Sequence, residues 1–204
     1  DPEELTAQLA TRRRAAQVHD EWIASGGVER RALGFCSTIR HADFMAEYFR
    51  ERGVNAVAVH SGPTSAPRGA SLDLLASGEV DIIFTVDIFN EGVDVPEIDL
   101  VMMLRPTESS VVFLQQLGRG LRRAAGKDAL AVVDLVGNHR GFLLKARLLA
   151  TLAGFPNATD REAVGFLSAA DHPVETVLPE GCSIVVDPEV VDFLQQLLGP
   201  ANKV

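Results

Sequence analysis

Two cysteines, Cys36 and Cys182, are all that these 204 residues carry. They are too few and too scattered for a disulfide framework or a structural zinc site. Cys36 falls in an apolar strand pattern and reads as a buried thiol. No apolar run approaches the roughly 18 residues that cross a bilayer, and there is no signal-peptide pattern at the start, so a cytoplasmic protein with no membrane partner is expected. A complete nucleotide cradle is lacking as well. The nearest approach to a Walker loop, Gly120 to Asp128, reads G-L-R-R-A-A-G-K-D. It has five residues between its glycines, ends in Asp where a hydroxyl should hold the metal, and follows a helical pattern instead of a strand. The one Asp-Glu pair, Asp20-Glu21, lies inside a helical segment ahead of Trp22-Ile23 and does not serve as a D-E-x-H or D-E-A-D element. The chain opens on Asp1, which reads as a fragment.

What is present suits one α/β core with a small appendage. The net charge of −9 is unevenly spread. Residues 115–147 hold seven Lys/Arg against two acids, a local +5, whereas residues 148–204 carry −6. A polyanion is bound by a local basic stripe more than by the total, so the acidic balance weakens a nucleic-acid partner without excluding it.

Leu5 to Ile23 has near-helical apolar spacing and predicts a helix stopped by Ser25-Gly26-Gly27, with Arg12, Arg13 and Arg14 as a solvated face. Strands and helices then alternate. Strands are predicted at Ala32 to Cys36, Val54 to Val59, Val80 to Val86, Leu100 to Leu104 and Ala129 to Leu135. Helices are predicted at Ile39 to Arg52, Ala66 to Ser77, Ser109 to Arg123 and His139 to Ala153. Apolar strands separated by helical patterns of ten or more residues imply a parallel sheet covered on both faces. After Gly154 the alternation stops, and prolines punctuate two short helical patterns near Arg161 to Ala170 and Glu189 to Leu198. The chain therefore divides into an N-terminal helix and linker (1–29), an α/β domain (30–153) and a mostly helical extension (154–204) whose role the sequence leaves open.

The segment Phe113 to Arg123, F-L-Q-Q-L-G-R-G-L-R-R, sets Arg119 and Arg122 three residues apart, which puts both guanidiniums on one face of a helix. Such a pair suits a phosphate clamp, and it equally describes a solvated basic helix end. Upstream, Asp81 to Pro96 reads D-I-I-F-T-V-D-I-F-N-E-G-V-D-V-P, a buried strand running into a loop built on Gly92 and Asp94.

Together these resemble motifs V and VI of the superfamily 2 helicases and translocases. Motif VI is matched at Gln115, Gly118, Arg119 and Arg122, and motif V at Thr85, Gly92 and Asp94. Ala32 to Ser37, A-L-G-F-C-S, is similar to motif IV. His60 to Gly62 with Arg68 is similar to the H-x-G…R element between motifs IV and V. The resemblance covers roughly residues 30 to 150 and implies the second RecA-like domain of a helicase core. ATP and Mg2+ are then bound mainly by an N-terminal RecA-like domain of the same full-length protein, absent from this chain. Arg122 is implied as the arginine finger, Arg119 as its γ-phosphate partner, Gln115 as an organiser of the same cleft, Asp94 as a ribose contact and Gly92 as a point of close backbone approach. Ser37, Thr85, the Gly62 amide and Arg68 are implied as donors to nucleic-acid phosphates, which position a strand without reading its bases. No metal ligand is assigned in this chain.

Each assignment has a plainer counterpart. Asp94 also suits a turn before Pro96, Ser37 and Thr85 suit strand-end hydroxyls, Arg68 a surface helix position, and His60 a hydrogen-bonded structural histidine. DEAD-box proteins usually carry His where Gln115 stands and Gly where Leu121 stands. The motifs here look closer to the restriction-translocase and DNA-repair branch, which favours DNA over RNA as partner. Two rival readings stand beside this one. One is a catalytically silent RecA-like interaction or regulatory module. The other is a small-molecule α/β enzyme with a metal cluster at Asp87, Glu91 and Asp94.

Overall fold

A computed structural model describes residues 10–86, 96–105, 127–135, 139–169 and 188–198. The chain divides into two compact units, Asp1–Pro106 with Val111–Val136, and Thr107–Ser110 with Gly137–Val204. The first unit holds helix α1 (Arg12–Ala24), a 3-10 turn (Gly27–Glu29), β1 (Ala32–Phe35), α2 (Ile39–Arg50), β2 (Ala56–Val59), α3 (Arg68–Ser77), β3 (Ile82–Thr85), β4 (Leu100–Met103) and β5 (Ala131–Asp134). The second holds α4 (His139–Leu152), α5 (Asp160–Ala169) and α6 (Pro188–Leu197).

The five strands form one sheet in the order β2-β3-β1-β4-β5, and every neighbouring pair is parallel. In β1, β3 and β4 all four residues are buried, as continuous apolar strands covered on both faces must be. Ala32, Ile82, Phe84, Leu100 and Met102 join one core with Met45, Ala46 and Phe49 of α2 and with Ala15, Val18 and Trp22 of α1. Their neighbours along the strands, Leu33, Phe35, Ile83, Val101 and Met103, are also buried and point to the opposite face, with the period of two that pleating imposes.

Helix α1 is thus part of the sheet's core. Thr11 caps it by accepting a hydrogen bond from the Arg14 amide at 3.2 Å. Its buried stripe of Ala15, Val18 and Trp22 ends on Phe49, whose ring meets Trp22 at 5.5 Å and Phe84 at 4.9 Å, both edge-on. Gly34 lets Phe84 cross over β1: a Cβ on Gly34 would lie 2.6 Å from the Phe84 ring.

The amino-terminal edge of the sheet is tied by carboxylates. Asp99 accepts from the Arg31 amide at 2.8 Å, and Asp81 from the Asn55 amide at 2.9 Å. These bonds satisfy donors at the strand starts that no ladder reaches.

In the second unit, Ala146 and Ala150 of α4 pack against Ala163 and Leu167 of α5. Thr159 and Glu162 form a reciprocal capping box at the start of α5, with the Thr159 amide donating to Glu162 at 2.8 Å and the Glu162 amide to Thr159 at 3.3 Å. The five-stranded parallel sheet with its helices matches the α/β fold class expected from the sequence. Among the described residues, no helix is long and apolar enough to cross a membrane.

Candidate nucleic-acid interface

Three adjacent strands, β2, β3 and β1, end in register, with Val59 beside Thr85 and Thr85 beside Phe35. This carboxyl edge is where open parallel sheets bind ligands, because the loops leaving it diverge. Ser37 lies two residues beyond β1, His60 to Gly62 directly follow β2, and Thr85 is the last residue of β3. Sequence positions up to 48 residues apart therefore meet along one row of strand ends. Arg68 opens α3, the helix that follows the β2 loop. The helix dipole does not favour a cation at that end, so helix stability alone does not account for its place.

The four expected donors are not equivalent. Ser37 is half-buried, and its hydroxyl lies 3.2 Å from His41 Nδ1. The Gly62 amide donates to His60 Nδ1 at 3.1 Å, so a phosphate would compete with the ring for that proton. Thr85 is fully buried, and its hydroxyl donates to the Val59 carbonyl at 2.8 Å. Its proton is spent stitching β3 to β2 and does not face solvent.

His60 is held by hydrogen bonds on every side, in keeping with the structural histidine that is the plainer of its two readings. Because Nδ1 accepts from Gly62, Nε2 carries the proton, which it donates to Asp43 Oδ1 at 2.9 Å. Thr64 donates to the other oxygen of Asp43 at 2.8 Å, and the His60 amide donates to Ser65 Oγ at 2.9 Å. This closed network fixes the shape of the loop that presents Gly62. A Cβ on Gly62 would meet His60 Nδ1 at 3.1 Å and Ile39 Cδ1 at 3.2 Å, so the loop packs closely around a residue without a side chain.

His41 is a participant that sequence reasoning missed. It sits in the first turn of α2, where Thr38 caps its amide at 3.2 Å, and its ring is buried. The available signal was its place four residues after Ser37, across a hydroxyl that caps the helix. Burial, reinforced by the positive charge of Arg14, pushes its pKa from the ordinary 6.5 down to about 4. The imidazole is then neutral at pH 7, and Nδ1 accepts the Ser37 proton.

A pH dependence follows. Between pH 6.5 and 4 the unfolded chain holds a proton here that the folded chain releases, so this stabilisation is complete above 6.5 and is lost as pH falls through that window. At about pH 5 the loss should be about 2 kcal/mol. Urea denaturation near pH 7.5 and near pH 5 should show wild type losing about that much more stability than His41→Gln. Equal losses for the two proteins would contradict the assignment.

Arg119, Arg122, Gln115, Gly92 and Asp94, with the rival trio Asp87, Glu91 and Asp94, lie outside the described residues. Among the described residues no group of three His, Cys, Asp or Glu side chains is placed to hold a metal ion.

Comparison with known proteins identifies a family for this unit. The family described as "Helicase conserved C-terminal domain" matches residues 15–124. UvrABC system protein B of Gloeothece citriformis is 34% identical over 103 residues, covering 48% of this chain and 16% of that protein. The pre-mRNA-splicing ATP-dependent RNA helicase PRP28 of Cryptococcus neoformans is 29% identical over 104 residues, covering 51% of this chain and 14% of that protein. The chain thus spans only about a seventh of the length of these relatives. Among solved structures, the RNA helicase Prp28 of Chaetomium thermophilum bound to ADP superposes with a TM-score of 0.56 at 23% identity, over 71% of this chain and 35% of that one. That likeness concerns the fold.

Proposed function

The chain belongs to the helicase conserved C-terminal domain family of superfamily 2, and from that premise we propose that it is the second motor domain of an ATP-dependent helicase or translocase. In this reading a first RecA-like domain of the same protein holds the Walker elements. The present chain supplies Arg119 and Arg122 to the nucleotide, with Gln115, Gly92 and Asp94 in the same cleft. ATP with Mg2+ would supply the hydrolytic free energy, and this chain's residues would bind, orient and neutralise charge.

The observation that carries the proposal is the single row of strand ends at the carboxyl edge, where Ser37 after β1 and the Gly62 loop after β2 flank the end of β3. Arg68 adds charge from the start of α3. Thr85 supports the row from beneath, through its bond to Val59. Contacts of this kind hold a backbone and are indifferent to base sequence. We favour DNA as the strand, on the strength of Gln115 and Leu121.

Arg68→Ala in the full-length protein tests the strand path. Binding should weaken by a similar factor on every sequence tried, and the slope of log affinity against log salt should fall by about 0.7 to 0.9, one phosphate's worth of released counterion. An unchanged slope would return Arg68 to the ordinary surface of a helix.

A further inference from the structure

One carboxylate stands where a path for a polyanion should least tolerate it. Asp43 lies on α2, against the loop that follows β2, and its side chain is 35% exposed. Both of its oxygens are engaged: Oδ1 accepts from His60 Nε2 at 2.9 Å, and Oδ2 accepts from the Thr64 hydroxyl at 2.8 Å. The His60 side chain is fully buried, and its Nδ1 in turn accepts from the Gly62 amide at 3.1 Å. Asp43 therefore grips the loop on both sides of Gly62, at residue 60 and at residue 64.

The stability of α2 does not account for this residue. Thr38 caps the helix, and Asp43 is its fifth residue, beyond the first turn in which a carboxylate gains from the helix dipole. Its charge repels any phosphate that approaches the loop. What the carboxylate supplies is two acceptors at once. It holds the His60 proton on Nε2, which leaves Nδ1 only the role of acceptor, and it keeps the Thr64 side chain from turning away. A loop already held in its binding shape is not ordered at the expense of affinity when a strand arrives.

We propose that Asp43 is a positioning residue of the nucleic-acid path, which through His60 and Thr64 holds the Gly62 loop in the shape that meets a backbone phosphate, and that it raises affinity despite its charge. This rests on reading the carboxyl edge as the strand path.

The test compares Asp43→Ala with Asp43→Asn in the full-length protein, binding single-stranded oligo-dT and, in a second arm, oligo-rU. The two variants carry the same charge, so their difference excludes the through-space effect of the carboxylate. Asparagine keeps an acceptor for His60 Nε2, and its NH2 group can donate to Thr64 Oγ, whereas alanine leaves both groups without their partner. Asp43→Ala should bind about 3- to 10-fold more weakly than Asp43→Asn. The slope of log affinity against log salt should be the same in both, because no cation is removed. In ATP turnover, Asp43→Ala should need correspondingly more nucleic acid for half-maximal stimulation and reach the rate of Asp43→Asn at saturation. Thr64→Val, at an exposed position, removes one grip without touching the buried ring and should lose about 2- to 3-fold against wild type. Equal affinity of the two Asp43 variants, or wild-type affinity of Thr64→Val, would overturn the positioning role, provided that Arg68→Ala is weakened. Wild-type binding by Arg68→Ala would instead remove the strand path on which it rests. A urea midpoint for each variant separates a binding loss from a folding loss.

Discussion

Replacing Arg119 or Arg122 by alanine in the full-length protein is expected to cut nucleic-acid-stimulated ATP turnover by at least about 10²-fold, with folding unchanged. Phosphoryl transfer spreads negative charge over the equatorial oxygens of its transition state, so the protein's contribution is mostly position and positive charge. Arginine fingers are worth about 10³ to 10⁵ in rate in other phosphoryl-transfer enzymes, and a guanidinium bound to the γ-phosphate acts on the same developing charge. On a helix a three-residue spacing would put the two side chains on one face, so each is expected to matter separately. The 204-residue chain on its own should release no phosphate above background, because it lacks the cradle and the metal ligand. Near-normal turnover in both variants would make the pair a solvated helix end, and steady hydrolysis by the chain alone would remove the division of labour between two domains. Turnover is the readout in each case.

Phe49→Ala should cost about 3–5 kcal/mol of unfolding free energy. The ring is fully buried and lies where three elements converge: it meets Trp22 of α1 at 5.5 Å, His19 of the same helix at 5.1 Å and Phe84 of β3 at 4.9 Å. Truncation forfeits the transfer free energy of the ring and leaves a void that a parallel sheet, fixed on both sides, cannot close. The rings also meet edge to face, an arrangement that contributes beyond area alone. Chemical denaturation gives the value. A loss below about 1.5 kcal/mol would mean that α1 docks loosely and that the aromatic cluster does not fasten it to the sheet.

The strands were legible because a parallel sheet buried on both faces reads as unbroken apolar runs between breakers. Their lengths were overread for the same reason. Val54 and Val80 are buried, yet they lie outside β2 and β3, since burial marks the core and not the hydrogen-bond ladder. The shared location of Ser37, Gly62 and Thr85 was accessible only through the motif resemblance, because periodicity alone does not reveal strand order. The commitment of the Thr85 hydroxyl was beyond reach: its acceptor, the Val59 carbonyl, is 26 residues away. The arginine run on α1 shows a further limit. A helical wheel separates buried from exposed faces, but it does not say that Glu51 answers Arg12 and that no described carboxylate answers Arg14.

The strand order also bears on how the chain is made. β1 is the central strand, yet Ala32 pairs with Ile82 fifty residues later and with Leu100 sixty-eight residues later. No strand in this sheet closes a hairpin with its successor, so every pairing must overcome the entropy of a long loop. A ribosome releasing this chain would expose the apolar β1 and β2 before β3, the strand that joins them, has emerged. Until then α1 and α2 can shield Phe49 from other chains by packing on each other through Trp22. Early formation of α1 and α2 would therefore act as a temporary cover during synthesis, for a sheet whose topology makes it slow to assemble.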